Sequence, residues 1–200
     1  MSTSTSKGDH GPRQASFRLS TRQLGVFVLF GSLSVLFAAS LVGYLITRAE
    51  SEVWRPEGVP GLPLGLIGST LVLLGNAIAM HHAIGAVREN KPLTLVRDLW
   101  IAFAFALAFV IGQALNWSSM WVGLGVAGQK TLYAFTFYML TGLHVLHVVG
   151  GLVPLGIVIA RARKREYSSS SHEGVLLVRQ YWDFLGVVWI VLLALLYLRT

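Results

Sequence analysis

Cysteine is absent from the chain of 200 residues. That absence excludes disulfides, iron–sulfur clusters and every thiolate metal site, so the chain cannot itself hold a thiolate-bridged copper centre. Charge is scarce as well. Asp, Glu, Lys and Arg make up 12% of the residues against 54% hydrophobic, and the mean hydropathy is +0.64. A soluble domain carries about 25% charged residues, so this composition reads as an integral membrane protein. No internal repeat is evident, which counts against an inverted-repeat transporter.

What charge there is leans basic, with a net +7. The Lys and Arg residues sit in short clusters between apolar runs, the pattern of loops that set membrane orientation rather than of a groove tracking phosphates. Nucleic acid is therefore not an expected partner. Residues 1–21, MSTSTSKGDHGPRQASFRLST, are rich in Ser and Thr and read as a disordered cytoplasmic tail. The apolar run behind them is too long for the h-region of a cleavable signal. Residues 22–200 are expected to form one transmembrane domain.

Five segments reach the length of about 20 apolar residues that a spanning helix requires. They are residues 23–47, 62–86, 99–116, 131–160 and 175–198, with a Gly/Ser-rich loop expected behind Trp117. The expected fold is thus all-α, a polytopic bundle of five transmembrane helices. Lys7, Arg13, Arg18 and Arg22 precede the first segment; Arg88, Lys91 and Arg97 follow the second; Arg161, Arg163, Lys164, Arg165 and Arg179 follow the fourth. Only Arg48, Arg55, Lys130 and Arg199 fall on the other side. Twelve basic residues against four put the N-terminus in the cytoplasm and the C-terminus in the periplasm. Ala104, Ala108 and Gly112 recur at i, i+4 and i+8, a stripe that lets a neighbouring helix approach, and Gly61, Gly65 and Gly68 open the second helix in the same way.

Ionisable groups inside a membrane are costly and therefore informative. Here they are His81 and His82 near one end of the second segment, His144 and His147 in the fourth, and Asp183 in the fifth. No Asp, Glu, Lys or Arg occurs from Thr131 to Ala160. At 100° per residue, Thr141, His144, His147 and Gly151 share an arc of about 120°, which turns the polar residues toward protein rather than lipid. A metal site fits this pattern poorly. Histidines at i and i+4 suit one metal better than i and i+3, and a carboxylate usually completes the set. Asp183 follows Arg179 by four residues, where an ion pair is the simpler reading. Two histidines on a haem would need matching depth, and His81 and His82 lie near one face while His144 is central. The expected state of His144 and His147 is an imidazole hydrogen-bonded to other helices or to lipid head groups.

The string FYMLTGLHVLHVVGGL from Phe137 resembles the most diagnostic segment of subunit III of the haem–copper oxidases, F-Y-x-L-T-G-x-H-x-x-H-V-x-x-G. YWDFLGVVWIVLL from Tyr181 resembles the closing helix of that family, Y-W-H-F-V-D-V-V-W-L, and GQALNW from Gly112 resembles Q-x-x-E-[WY]. Ser69 and Thr70 lie where the family has a Ser-Ser pair. The resemblance runs from about Arg22 to Leu198 and is closest to the short five-helix bacterial form. Leu33 and Asn116 stand where the family carries glutamates, Asp183 replaces its His and Gly186 its Asp. Those departures mark a divergent branch and weigh against an inherited role in proton uptake.

The resemblance implies an accessory, non-catalytic subunit of a proton-pumping terminal oxidase in the aerobic respiratory chain. On that reading the chain sits as a multi-pass protein in the bacterial cytoplasmic (inner) membrane. It carries no catalytic residue, metal or cofactor of its own, while haem and copper belong to subunits I and II. It binds phospholipid, stabilises the catalytic subunit and gives oxygen a route from the bilayer. Thr141, His144, His147, Gln113, Trp117, Tyr181, Trp182 and Asp183 are the expected structural, lipid-contact or subunit-contact residues. Two other readings stay open: a subunit III-like component of a nitric oxide reductase or other haem–copper relative, and an independent haem-binding or transport protein.

Overall fold

A computed structural model of the chain describes residues 21–198. Apart from Thr21, which opens the first helix, the expected disordered tail lies outside the described residues. Five helices follow: α1 Thr21–Glu50, α2 Gly65–Arg88, α3 Pro92–Gly128, α4 Leu132–Arg163 and α5 Glu173–Leu198. All five are long and apolar enough to cross a membrane. Even the shortest, α2 with 24 residues, rises about 36 Å, more than the hydrocarbon thickness. Among the described residues there is no strand, only an isolated bridge between Ser168 and Ser171 in the α4–α5 loop.

The third helix departs most from expectation. It opens at Pro92, where a missing N–H costs nothing because the first helical N–H groups have no partner anyway. It then continues through the stretch expected to be a Gly/Ser-rich loop. Ser118 returns its hydroxyl to the carbonyl of Leu115 at 2.9 Å. The buried stripe Ala102, Ala106, Phe109, Gln113, Asn116, Met120 and Leu124 carries the same face forward. Burial of one continuous face thus outweighs the loop composition. The helix breaks at Gly125, whose φ of 60° and ψ of −178° require glycine. The basic loop between α2 and α3 shrinks to Glu89, Asn90 and Lys91. Asn90 takes a left-handed φ of 52° and ties this turn to the α4–α5 loop, donating to Ser169 Oγ at 3.1 Å and accepting from the Ser169 N–H at 2.8 Å.

α2, α3, α4 and α5 close a ring in which α2 and α4 each pack against α3 and α5. α1 lies outside it and, among the described helices, packs against α4 and α5. Close approach inside the ring occurs at particular glycines. A Cβ on Gly65 would land on the amide oxygen of Asn116, and one on Gly75 would come within 2.8 Å of the Phe105 ring. The stripe read from the sequence is mostly elsewhere. Ala104 and Ala108 are exposed, a Cβ on Gly68 would meet nothing within 4 Å, and of that α3 stripe only Gly112 approaches α2, where an added Cβ would lie 3.4 Å from Ser69 Oγ.

Candidate functional site

The polar side chains of α4 meet the other helices near the middle of the bundle. Thr141 is fully buried; it accepts from Trp117 Nε1 at 3.0 Å and donates to the Phe137 carbonyl at 2.7 Å. Trp117 in turn accepts at its carbonyl from the Tyr138 hydroxyl at 3.0 Å. Two indole or phenol donors in hydrocarbon thus find acceptors on the facing helix, which fixes how α3 and α4 are rotated.

The two histidines, three residues apart, have different surroundings. His147 is half-buried. Its Nδ1 donates to the Leu143 carbonyl of its own helix at 2.7 Å, and its ring lies 5.1 Å from that of Phe37 on α1. His144 has no exposed surface and sits among Phe37, Phe109 and Trp189, with ring centroids 6.2, 5.6 and 5.0 Å away. Neither of its ring nitrogens has a hydrogen-bond partner among the described residues. The expected bond from His144 to another helix is therefore not made. At this depth α1, α3 and α5 present aromatic rings, which pack the imidazole without offering an acceptor.

Gln113 belongs to the same layer. It is fully buried on α3, one turn from Phe109 and one from Trp117, and neither its amide oxygen nor its nitrogen has a partner among the described residues. On α5, Tyr181 donates to the His147 carbonyl at 2.8 Å. A Cβ on Gly151 would fall 2.6 Å from the Tyr181 ring and 3.3 Å from that of Trp182, so this glycine seats both aromatics. Trp182 is 2% exposed. Asp183 lies apart from this layer. Arg179 Nε approaches its Oδ2 at 3.4 Å, the expected i,i+4 contact, and His81 Nδ1 stands 3.9 Å from Oδ1. His81 donates from Nδ1 to the Ala77 carbonyl at 2.9 Å and receives Arg179 Nη1 on Nε2 at 3.2 Å. The helical ion pair is thus also a link between α2 and α5.

The sequence reading missed several helix-to-helix bonds. Asn76 Nδ2 donates to the Ala102 carbonyl at 2.8 Å, Asn116 Nδ2 to Ser69 Oγ at 3.2 Å, and Trp189 Nε1 to Thr70 Oγ1 at 3.0 Å. The signal was present: a lone amide in an apolar run must find a partner inside the protein. An apolar groove of about 360 Å³ runs between α2 and α5 past Thr70, Leu73, Leu74, Gly186 and Ile190, with Asp183 among its lining residues. Among the described residues no three His, Asp or Glu side chains come together in a way that would hold a metal.

The family model described as Cytochrome c oxidase subunit III matches residues 4–200. The chain is 37% identical over 179 residues to "Cytochrome c oxidase subunit 3" of Synechocystis sp., covering 88% of this chain and 75% of that protein. It is 31% identical to the protein of the same name from Thermostichus vulcanus, covering 96% of this chain and 92% of the other. "Probable cytochrome c oxidase subunit 3" of Mycobacterium tuberculosis is 29% identical, with 87% and 86% covered.

Proposed function

The chain belongs to the cytochrome c oxidase subunit III family, and on that premise we propose that it is an accessory subunit that stabilises the catalytic subunit of a proton-pumping terminal oxidase. The observation that carries this reading is the family match over residues 4–200. Its partners are the oxidase subunits I and II, which hold the haem and copper. The protein lies in a bacterial cytoplasmic membrane with its N-terminus inside and its C-terminus outside, in keeping with the asymmetry of Lys and Arg.

The groove between α2 and α5 supports a second task. Its lining is mostly apolar, with Thr70 and Asp183 as the polar residues, so an acyl chain of a membrane lipid fits its chemistry. The same apolar surface suits oxygen, which partitions into hydrocarbon. Gly186 has nothing within 4 Å of an added Cβ, so a larger side chain there would occupy the groove.

Purification of a tagged chain in mild detergent tests the assignment. Subunits I and II should copurify and carry the haem spectrum; copurification with nitric oxide reductase subunits would move the protein to the other family branch. Deleting the chain should leave the haem spectra of the catalytic subunit intact and shorten its working lifetime. A reporter fused after Thr200 should behave as periplasmic and one inserted in residues 168–171 as cytoplasmic. The reverse pattern would refute the orientation.

A further inference from the structure

Four polar atoms in the middle of the bundle have no hydrogen-bond partner among the described residues: Nδ1 and Nε2 of His144, and Oε1 and Nε2 of Gln113. Both side chains have 0% exposure. Buried polar atoms in folded proteins are almost always hydrogen-bonded to protein or to ordered water, since desolvation without replacement is costly. The two residues share a layer. Phe109, one turn before Gln113, touches His144, and Trp117, one turn after it, bonds Thr141, one turn before His144. Small residues adjoin that layer: Gly112 precedes Gln113 on α3, Thr141 lies one turn before His144, and Thr70 holds the indole of Trp189, which packs on His144.

We propose that Gln113 and His144 together form a binding site for ordered water, one or two molecules held inside the helix ring. The chemistry selects water. An imidazole with one N–H offers one donor and one acceptor, and a primary amide offers two donors and a carbonyl. A direct amide–imidazole bond would satisfy one atom on each side and leave the other two dry. Water both donates and accepts, so one molecule accepts from an amide N–H and donates a hydrogen bond to the bare ring nitrogen. A second molecule pairs the ring N–H with the amide oxygen. A metal is the wrong occupant, because one imidazole and one amide do not make a coordination set. An apolar guest would leave all four atoms unpaired. The site lies one turn inside the Trp117–Thr141 bond and is closed toward α5 by Trp189, so its water exchanges slowly and forms part of the structure.

The test uses the full chain with its copurifying subunits in lipid. In proton-detected solid-state NMR with nitrogen-15 histidine, the His144 ring should show a cross-peak from water. A high-resolution density map should show a solvent peak within hydrogen-bond distance of both side chains. Gln113→Leu and His144→Phe should each lower the melting temperature, and the double variant should melt at least as high as the weaker single one. An apolar pair leaves no group that needs the water. A direct Gln113–His144 bond without a solvent peak overturns the proposal, and so does a dry layer in which either single variant is neutral or stabilising. If neither single variant assembles, the cross-peak and the density of the unaltered protein decide.

Discussion

The ring of α2 to α5 and the outlying α1 are all built from helices apolar enough to cross a membrane, yet they are held in different ways. Only 11% of the α1 span is buried, against 44% of α2. α2 and α3 meet backbone to side chain, at Gly65 on Asn116 and at Gly75 on Phe105, and the Asn76 amide crosses to a carbonyl of α3. α1 reaches its neighbours through ring contacts. Phe30 stacks on Phe184 at 5.5 Å, Phe37 touches His144 and His147, and Tyr44 meets Trp54 edge-on at 5.6 Å. Arg48 adds a cation over the Trp54 ring at 5.2 Å. The contrast teaches what hydrocarbon allows. Lipid tails are as apolar as Leu, so apolar surface alone draws no helices together; close packing and hydrogen bonds do. Where glycines and amides face a neighbour the helices lock, and where only large apolar side chains do, a seam forms. The open face of α1 is thereby left for lipid or for a partner subunit.

The comparison breaks most visibly at Gly65. Gly65→Leu drives a side chain into Asn116, an overpacking penalty of about 3 kcal/mol, and should appear as loss of assembled subunit on a gel of purified membranes. Truncating a ring on each side of the seam separates the two regions. His144→Ala leaves a cavity among three aromatics and should cost about 3 kcal/mol in thermal unfolding. Phe37→Ala, at a buried ring, should cost about 3 kcal/mol as well. Its mark should be selective cleavage of the 51–61 segment in limited proteolysis, with α2 to α5 still protected. Equal protection of both regions in the Phe37 variant would show that α1 is bound as firmly as the ring.

Asn76→Ala removes a single interhelical bond and should cost about 1 kcal/mol, the usual scale for such bonds in membranes, read as a small downward shift in melting temperature. The smallest effect is expected at Gly68. A methyl group there meets nothing within 4 Å, so Gly68→Ala should leave melting unchanged or slightly raised. A loss at Gly68 comparable to that at Gly65 would mean that any glycine on α2 matters, not only the two that face α3.

Parts of this contrast were legible beforehand. Part of the inward polar arc of α4 was readable: Thr141, His144 and Gly151 are buried and follow helical spacing, while His147 is only half-buried. So was the Arg179–Asp183 contact, a matter of four residues on one helix. The packing face of α3 was not. Ala104, Ala108 and Gly112 have a proper period, but so do Ala102, Ala106 and Phe109, and period alone does not say which stripe turns inward. The length of α3 was misread because Ser, Gly and Trp after Asn116 have loop composition, while Met120 and Leu124 continue the buried face and Gly123 comes against Pro60 of the segment before α2. The surroundings of His144 were beyond reach, since three of its neighbours come from helices distant in the chain.

The sequence by itself determined that the chain crosses the membrane in five apolar segments and which family it resembles. Both rest on local features, run length against bilayer thickness and motif order, that need no knowledge of neighbours. Only the tertiary structure decided which glycines are contacts, which small residues are exposed, that α1 stands outside the ring, and that His144 is ringed by aromatics without a hydrogen bond to a facing helix. Those properties depend on how each helix is rotated about its own axis. In an apolar solvent that rotation is set by the partners' shapes and hydrogen bonds, not by the hydrophobicity of the helix itself.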